Sequence, residues 1–158
     1  MNLLAKTLGQ QLKRAGAMLV AAESCTGGWA AQVVTSVAGS SDWFERGFVT
    51  YSDAAKRELL GVRKSTLKKY GAVSEQTARE MASGALRRSR GTIAFAITGV
   101  AGPSGGSVAK PVGTVCLAWA SRGKVSSETR RFPGGRQSVR RQSVERALKG
   151  VLKVLGRG

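Results

Sequence analysis

The sequence predicts a three-layer α/β/α sandwich with a mixed, mostly parallel central sheet. Three observations carry this. Apolar runs of strand length stand at residues 17–22, 92–97 and 112–119. Segments with helical spacing of apolar residues alternate with strands through the first two thirds of the chain. A hairpin and a helix close it, and elements in that order pack as helices over a shared sheet.

The elements follow in order. Residues 2–15 place Leu4, Leu8, Leu12 and Ala15 at helical spacing, and Gly16 stops the helix. Residues 17–22 form a buried strand leading into Glu23-Ser24-Cys25-Thr26-Gly27-Gly28. A helix opens at Gly27-Gly28, continues over residues 29–34 and ends near Gly39-Ser40-Ser41. Residues 48–51 read as a strand. Ser52 or Asp53 caps a helix running through Leu60, with Gly61 at its end. Residues 66–70 add a short helix. Ser74 caps the next, from Glu75 to the neighbourhood of Arg88, with Ala78, Met81, Ala82, Ala85 and Leu86 on its apolar face. Residues 92–97 are a second buried strand, followed by a glycine-rich loop over 98–111. Residues 112–119 pair with 125–132 as a hairpin across Ser121-Arg122-Gly123-Lys124. The last helix, 137–155, aligns Val144, Ala147, Leu148, Val151, Leu152 and Leu155.

The 158 residues fit one domain, 1–158, with an apolar share of 42% that supports a continuous core. Glycines number 21 against 3 prolines, which points to tight functional turns and not to a disordered linker. No apolar leader or cleavage site opens the chain, and the run at 17–22 is too short to span a bilayer. A cytoplasmic protein without membrane attachment is the expectation.

The net charge is +17. Residues 63–90 carry +6 and 122–158 carry +9, whereas 21–62 carry −2. Such an excess raises nucleic-acid binding, but aromatics are only 6% and no strand interleaves them with basic residues. Charge runs on helices and loops read first as solvated faces. They also draw phosphorylated small molecules.

Histidine is absent, which excludes Ser-His-Asp and Cys-His catalysis. It also removes the commonest zinc ligand, and Cys25 and Cys116 lack metal spacing. The nine acidic residues leave carboxylate-held magnesium open, yet they form no close cluster. No cofactor and no metal is expected, so acid–base work falls to Lys, Glu, Asp, Tyr or water.

Two strand-end loops are candidates for chemistry, because ligands in such sheets bind beyond the carboxyl ends of strands. Ser24 follows a strand and precedes a helix whose N-terminal amides suit an oxyanion. The plainer role for Ser24 or Thr26 is to cap that helix. The loop Thr98-Gly99-Val100-Ala101-Gly102-Pro103-Ser104-Gly105-Gly106 lets backbone amides approach a ligand, although it is neither a P-loop nor a dinucleotide fingerprint. A serine nucleophile without histidine needs another base, and a desolvated lysine can serve. Lys56, with Tyr51 upstream to relay the proton, is one candidate; composition alone does not separate it from other lysines.

Taken together, the motifs resemble the CinA C-terminal domain family. The likeness runs through Ala22-Glu23-Ser24-Cys25-Thr26-Gly27-Gly28, Gly39-Ser40-Ser41, Phe44-Glu45-Arg46-Gly47-Phe48-Val49-Thr50-Tyr51-Ser52 and Lys56. It continues through Leu60-Gly61-Val62, Gly71-Ala72-Val73-Ser74-Glu75, Thr98-Gly99-Val100-Ala101-Gly102-Pro103, Lys110-Pro111-Val112-Gly113-Thr114-Val115 and Phe132-Pro133-Gly134-Gly135-Arg136. That is nearly the whole chain, in order. Stand-alone members of this family include amidohydrolases acting on nicotinamide nucleotide; larger members carry an additional N-terminal domain, and the expectation for this chain is the C-terminal module alone.

The resemblance implies hydrolysis of nicotinamide mononucleotide to nicotinate mononucleotide and ammonia, in pyridine nucleotide recycling, by a metal-independent Ser-Lys mechanism. It implies Ser24 as nucleophile, Lys56 as general base, and Tyr51 and Thr98 lining the site. Substrate contacts would come from Thr26, Gly27, Gly28, Gly99 and Gly102, with Arg140 on the phosphate and Arg136 behind it. The family's link to competence and DNA damage keeps a second reading, a nucleic-acid-associated module. That reading requires one contiguous basic face from 63–90 and 122–158. A member without deamidase activity is a third. A homodimer is expected, as the commonest assembly of such proteins.

Overall fold

The computed structural model describes residues 1–157. Helix α1, Asn2–Ala15, buries Ala5, Leu8, Gly9 and Leu12 and ends where Gly16 takes φ 62°. The stripe is thus set by Ala5 and Gly9 more than by the expected Leu4 and Ala15, because the Trp43 ring lies where a side chain on Gly9 would stand. Strand β1, Leu19–Glu23, is buried along its whole length. Helix α2 spans Trp29–Thr35, and a 3-10 turn follows at Ser40–Asp42.

Strand β2 spans Phe44–Val49, earlier than the 48–51 read from the sequence. Its register against β1 runs from Leu19↔Phe44 to Glu23↔Val49. As an edge strand it has one open side that tolerates Glu45 and Arg46, so it shows no apolar run to betray it. Helix α3, Asp53–Leu60, is capped by Ser52, whose hydroxyl accepts from the Ala55 amide at 3.0 Å. Helix α4 is Lys64–Tyr70, and α5, Glu75–Arg87, is capped by Ser74 in the same way. Strands β3, Ile93–Gly99, β4, Thr114–Ser121, and β5, Lys124–Arg131, precede the long helix α6, Arg136–Gly156.

The sheet order is β2-β1-β3-β4-β5. Both neighbours of β1 run parallel to it, whereas β3–β4 and β4–β5 are antiparallel. Strand β4 alone therefore opposes the other four, a mixed sheet as expected. On one face α1, α2 and α6 cover a core of large side chains, including Leu8, Trp43, Phe95, Leu117, Trp119 and Leu148. On the other, α3, α4 and α5 cover a core built mostly of alanine, with Leu60, Val62 and Met81.

This layering separates the basic stretches. Residues 63–90 build α4 and α5 on the alanine face, while α6 lies on the opposite face. The sheet stands between the helix layers that carry α5 and α6. The stretch 63–90 meets 122–158 at β5, where Arg79 of α5 donates to Ser127 Oγ at 3.2 Å. Among the described residues no helix is long and apolar enough to cross a membrane.

Candidate active site

The carboxyl ends of β1 and β3 meet α3 at one edge of the sheet, and a cavity of about 280 Å³ opens there. Ser24, Cys25, Tyr51, Lys56, Thr98, Gly99, Gly102 and Arg136 contribute to its lining. Ser24 directly follows β1, and its amide donates to Ile97 O of β3 at 2.9 Å, which pins the turn to the sheet.

Lys56 lies on the inner face of α3 and is only 1% exposed. Its Nζ donates to Ser24 Oγ at 2.9 Å, to Thr50 O at 3.0 Å and to Tyr51 O at 3.2 Å. No acidic side chain is among these partners. Burial disfavours the ammonium and holds the Lys56 pKa below the usual lysine range, against an opposing pull from Asp53. The three contacts hold Nζ in place against Ser24 Oγ, with the two backbone carbonyls on its other sides. Beside it, burial pushes the Cys25 thiol up to about 11, so Cys25 stays protonated at neutral pH and does not compete as a nucleophile.

The remaining expected residues divide. Thr98 is buried and its hydroxyl donates to Ala72 O at 2.8 Å, closing the cavity floor. Tyr51 is 61% exposed at the mouth, where its hydroxyl accepts from Arg136 Nη2 at 3.2 Å. Arg136 also donates to Gly102 O at 2.8 Å, so it bridges the two loops across the opening. Gly99 and Gly102 line the cavity; a Cβ at Gly102 would meet Val112 at 2.4 Å.

Thr26, Gly27, Gly28 and Arg140 do not line it. Gly27 and Gly28 take φ 58° and 101°, conformations that keep them outside the helix, so α2 starts at Trp29 and not at the glycine pair. Thr26 is fully buried and donates to Glu23 Oε1 at 2.7 Å. Arg140 grips the turn from behind, with Nε on Cys25 O at 3.0 Å and Nη2 on Thr26 O at 3.1 Å. Arg140 therefore lies behind the turn, outside the cavity lining.

Glu23 escaped the sequence reading. It is 1% exposed and accepts from the amides of Ala30 at 2.8 Å and Ala31 at 3.0 Å as well as from Thr26. The N-terminal amides of α2, expected to hold an oxyanion, are occupied by this carboxylate. The signal was an acidic residue directly after an apolar strand, where burial demands partners. Among the described residues no three His, Cys, Asp or Glu side chains cluster as metal ligands.

Fold and site together define an α/β/α hydrolase-like scaffold with a buried serine–lysine pair at the carboxyl edge of the sheet. The model of the CinA C-terminal domain matches residues 1–155, and the chain belongs to that family. The nicotinamide-nucleotide amidohydrolase PncC of Escherichia coli K12 is 54% identical over 146 residues, covering 92% of this chain and 88% of the relative. The protein of the same name from Pseudomonas putida is 51% identical over 151 residues, covering 96% and 94%. Among solved structures, a competence/damage inducible protein from Agrobacterium tumefaciens superposes with TM-score 0.94 at 48% identity, covering 98% of this chain and 94% of that one. A CinA superfamily protein from Klebsiella pneumoniae gives 0.96 at 38% identity, covering 99% and 98%.

Proposed function

We propose that this chain hydrolyses the carboxamide of nicotinamide mononucleotide, releasing ammonia and nicotinate mononucleotide, as a step in recycling pyridine nucleotides. The observation that carries the reading is the 2.9 Å contact between Lys56 Nζ and Ser24 Oγ, both buried at the cavity floor. The names of the relatives supply the substrate.

Ser24 Oγ attacks the carboxamide carbon while its proton passes to neutral Lys56. In the tetrahedral intermediate the former carbonyl oxygen carries the negative charge. The C–N bond then breaks, and Lys56 returns its proton to the departing nitrogen, which leaves as ammonia. Water attacks the resulting ester on Ser24, giving its proton to Lys56. The C–O bond to Ser24 breaks, Ser24 regains a proton and nicotinate mononucleotide departs. No step is routed through a metal. Thr98 supports the floor through Ala72, and Arg136, held between Tyr51 and Gly102, offers its guanidinium to the phosphate at the mouth.

The same reading places the enzyme in the cytoplasm as a single catalytic domain, working as a homodimer. The competing nucleic-acid reading draws on the +17 charge. The test is ammonia release from nicotinamide mononucleotide by the wild type beside Ser24→Ala. Activity in the wild type and none in the variant supports the proposal. A folded wild type that releases no ammonia removes the substrate assignment, and salt-sensitive DNA binding then becomes the next measurement.

A further inference from the structure

We infer that Arg140 is a positioning residue: together with Glu23 it fixes the turn after Ser24 so that the Cys25 backbone amide is aimed at the oxyanion formed when Ser24 attacks. This rests on Ser24 being the nucleophile proposed above, and it gives Arg140 a role away from the substrate phosphate.

A trans peptide sends its carbonyl and its following N–H in opposite directions. The Ser24 carbonyl accepts from Gly27 N at 3.0 Å, which turns the Cys25 N–H the other way. The Cys25 carbonyl accepts from Arg140 Nε at 3.0 Å, which turns the Thr26 N–H away from the guanidinium. The Thr26 carbonyl is held by Arg140 Nη2 at 3.1 Å and by Trp29 N at 3.0 Å. Among the described residues, the Cys25 amide has no acceptor outside its own residue, and Cys25 lines the cavity.

An N–H group directly after a nucleophile, in a residue that lines the cavity, is placed to take negative charge. The Ser24, Gly27 and Trp29 amides are each occupied. Glu23 takes the Thr26 hydroxyl and the Ala30 and Ala31 amides, so the start of α2 has nothing left to offer. The two charged side chains thus divide the work. Glu23 gathers the surplus donors, and Arg140 gathers the carbonyls that would otherwise face the oxyanion.

The guanidinium is itself fixed. Arg140 Nη1 donates to Gln137 Oε1 at 3.3 Å, and the group lies 5.3 Å from the Trp29 ring centroid. With Nε, Nη1 and Nη2 each bonded within the chain and its face on Trp29, the guanidinium is set to orient the turn. Arg136 is the contrast, since it lines the cavity.

The experiment compares Arg140→Met, Arg140→Lys and Arg136→Met on nicotinamide mononucleotide and on its dephosphorylated riboside. Melting temperature and circular dichroism are recorded for each variant. The expected result for Arg140→Met is a fall in kcat of roughly 10²-fold, with KM changed less than about threefold, on both substrates alike. Arg140→Lys, which keeps a donor but loses the fork, recovers part of it. Arg136→Met instead raises KM for the phosphorylated substrate alone. A KM rise for Arg140→Met confined to the phosphorylated substrate overturns the inference, and so does unchanged kcat.

A Ser24-dependent burst of p-nitrophenol from p-nitrophenyl acetate reads the turn without the nucleotide. A wild type silent on the nucleotide but showing this burst, lost in folded Arg140→Met and partly kept in Arg140→Lys, sustains the inference while the substrate assignment falls. A wild type with neither activity overturns both. Should Arg140→Met fail to fold, Arg140→Lys alone decides, a kcat equal to wild type counting against the inference.

Discussion

The two faces of the sheet are built differently, and the nucleophile is held between them. On the α6 face the core is thick: Phe95, Trp119 and Leu148 are each 5% exposed or less. On the α5 face it is thin, lined by Ala22, Ala78, Ala82, Ala85, Ala94, Ala96, Ala118 and Ala120. Small side chains let α5 and α3 approach closely, and α3 carries Lys56 down to the end of the sheet. The thin face thus delivers the base, and the thick face delivers Arg140 to the back of the same turn. Catalytic placement comes from close backbone approach on one side and from bulky, rigid packing on the other.

Removing the delivered group is the sharpest way to break this comparison. Lys56→Met should lower kcat for ammonia release by about 10³-fold while leaving the fold intact, because a buried amine without an acidic partner costs desolvation that an apolar chain does not. Circular dichroism and single-turnover kinetics check both halves; loss of less than tenfold would mean another base serves Ser24.

Packing changes come next, and they should differ by face. Leu148→Ala in the thick core is expected to cost about 3 kcal/mol in denaturant unfolding and to leave kcat near wild type. Gly84→Ala in the thin core places a Cβ 1.8 Å from Leu60 O, a backbone atom at the end of α3. That contact cannot be relieved by a side-chain rotation, so α3 must move. A stability loss of about 2 kcal/mol is expected here with a several-fold fall in kcat, since Lys56 moves with the helix. Equal effects of the two variants on kcat would erase the distinction between the faces. Gly150→Ala, which meets the Trp119 ring at 2.0 Å on the thick side, serves as the control and should lower the melting temperature more than the activity.

The smallest effect is in the pH profile. Burial disfavours charged Lys56, so its proton leaves below the usual lysine range. Activity should therefore rise with pH and level off before ordinary lysines titrate. The same depression means the folded chain binds fewer protons at this site than the unfolded chain, between the folded and unfolded pKa values. Its contribution to stability accordingly rises with pH through that window and is lost as pH falls through the folded value. Urea midpoints of wild type and Lys56→Met, measured across pH, isolate this slope; a wild-type rate profile still rising through the ordinary lysine range would contradict the burial argument.

Much of the architecture was legible before any coordinates. The buried strands at β1, β3 and β4 announced themselves as apolar runs, and the caps at Ser52 and Ser74 needed only local chemistry. Strand β2 was displaced because an edge strand has no apolar signature, and α2 was started too early because glycines in left-handed conformations look the same in sequence as glycines opening a helix. Ser24, Lys56, Tyr51 and Thr98 were picked out from motifs, and they do meet in one cavity.

What the sequence determined by itself was local and periodic: the order of elements, the absence of histidine, and the set of residue types that chemistry had to use. Tertiary structure decided which charged side chains face inward. Glu23 and Arg140 each meet the nucleophile turn through contacts set by sheet register and helix packing. Arg140 reaches Cys25 O across 115 positions of chain. No local pattern encodes such a contact, because it exists only once the α6 layer has packed against the sheet.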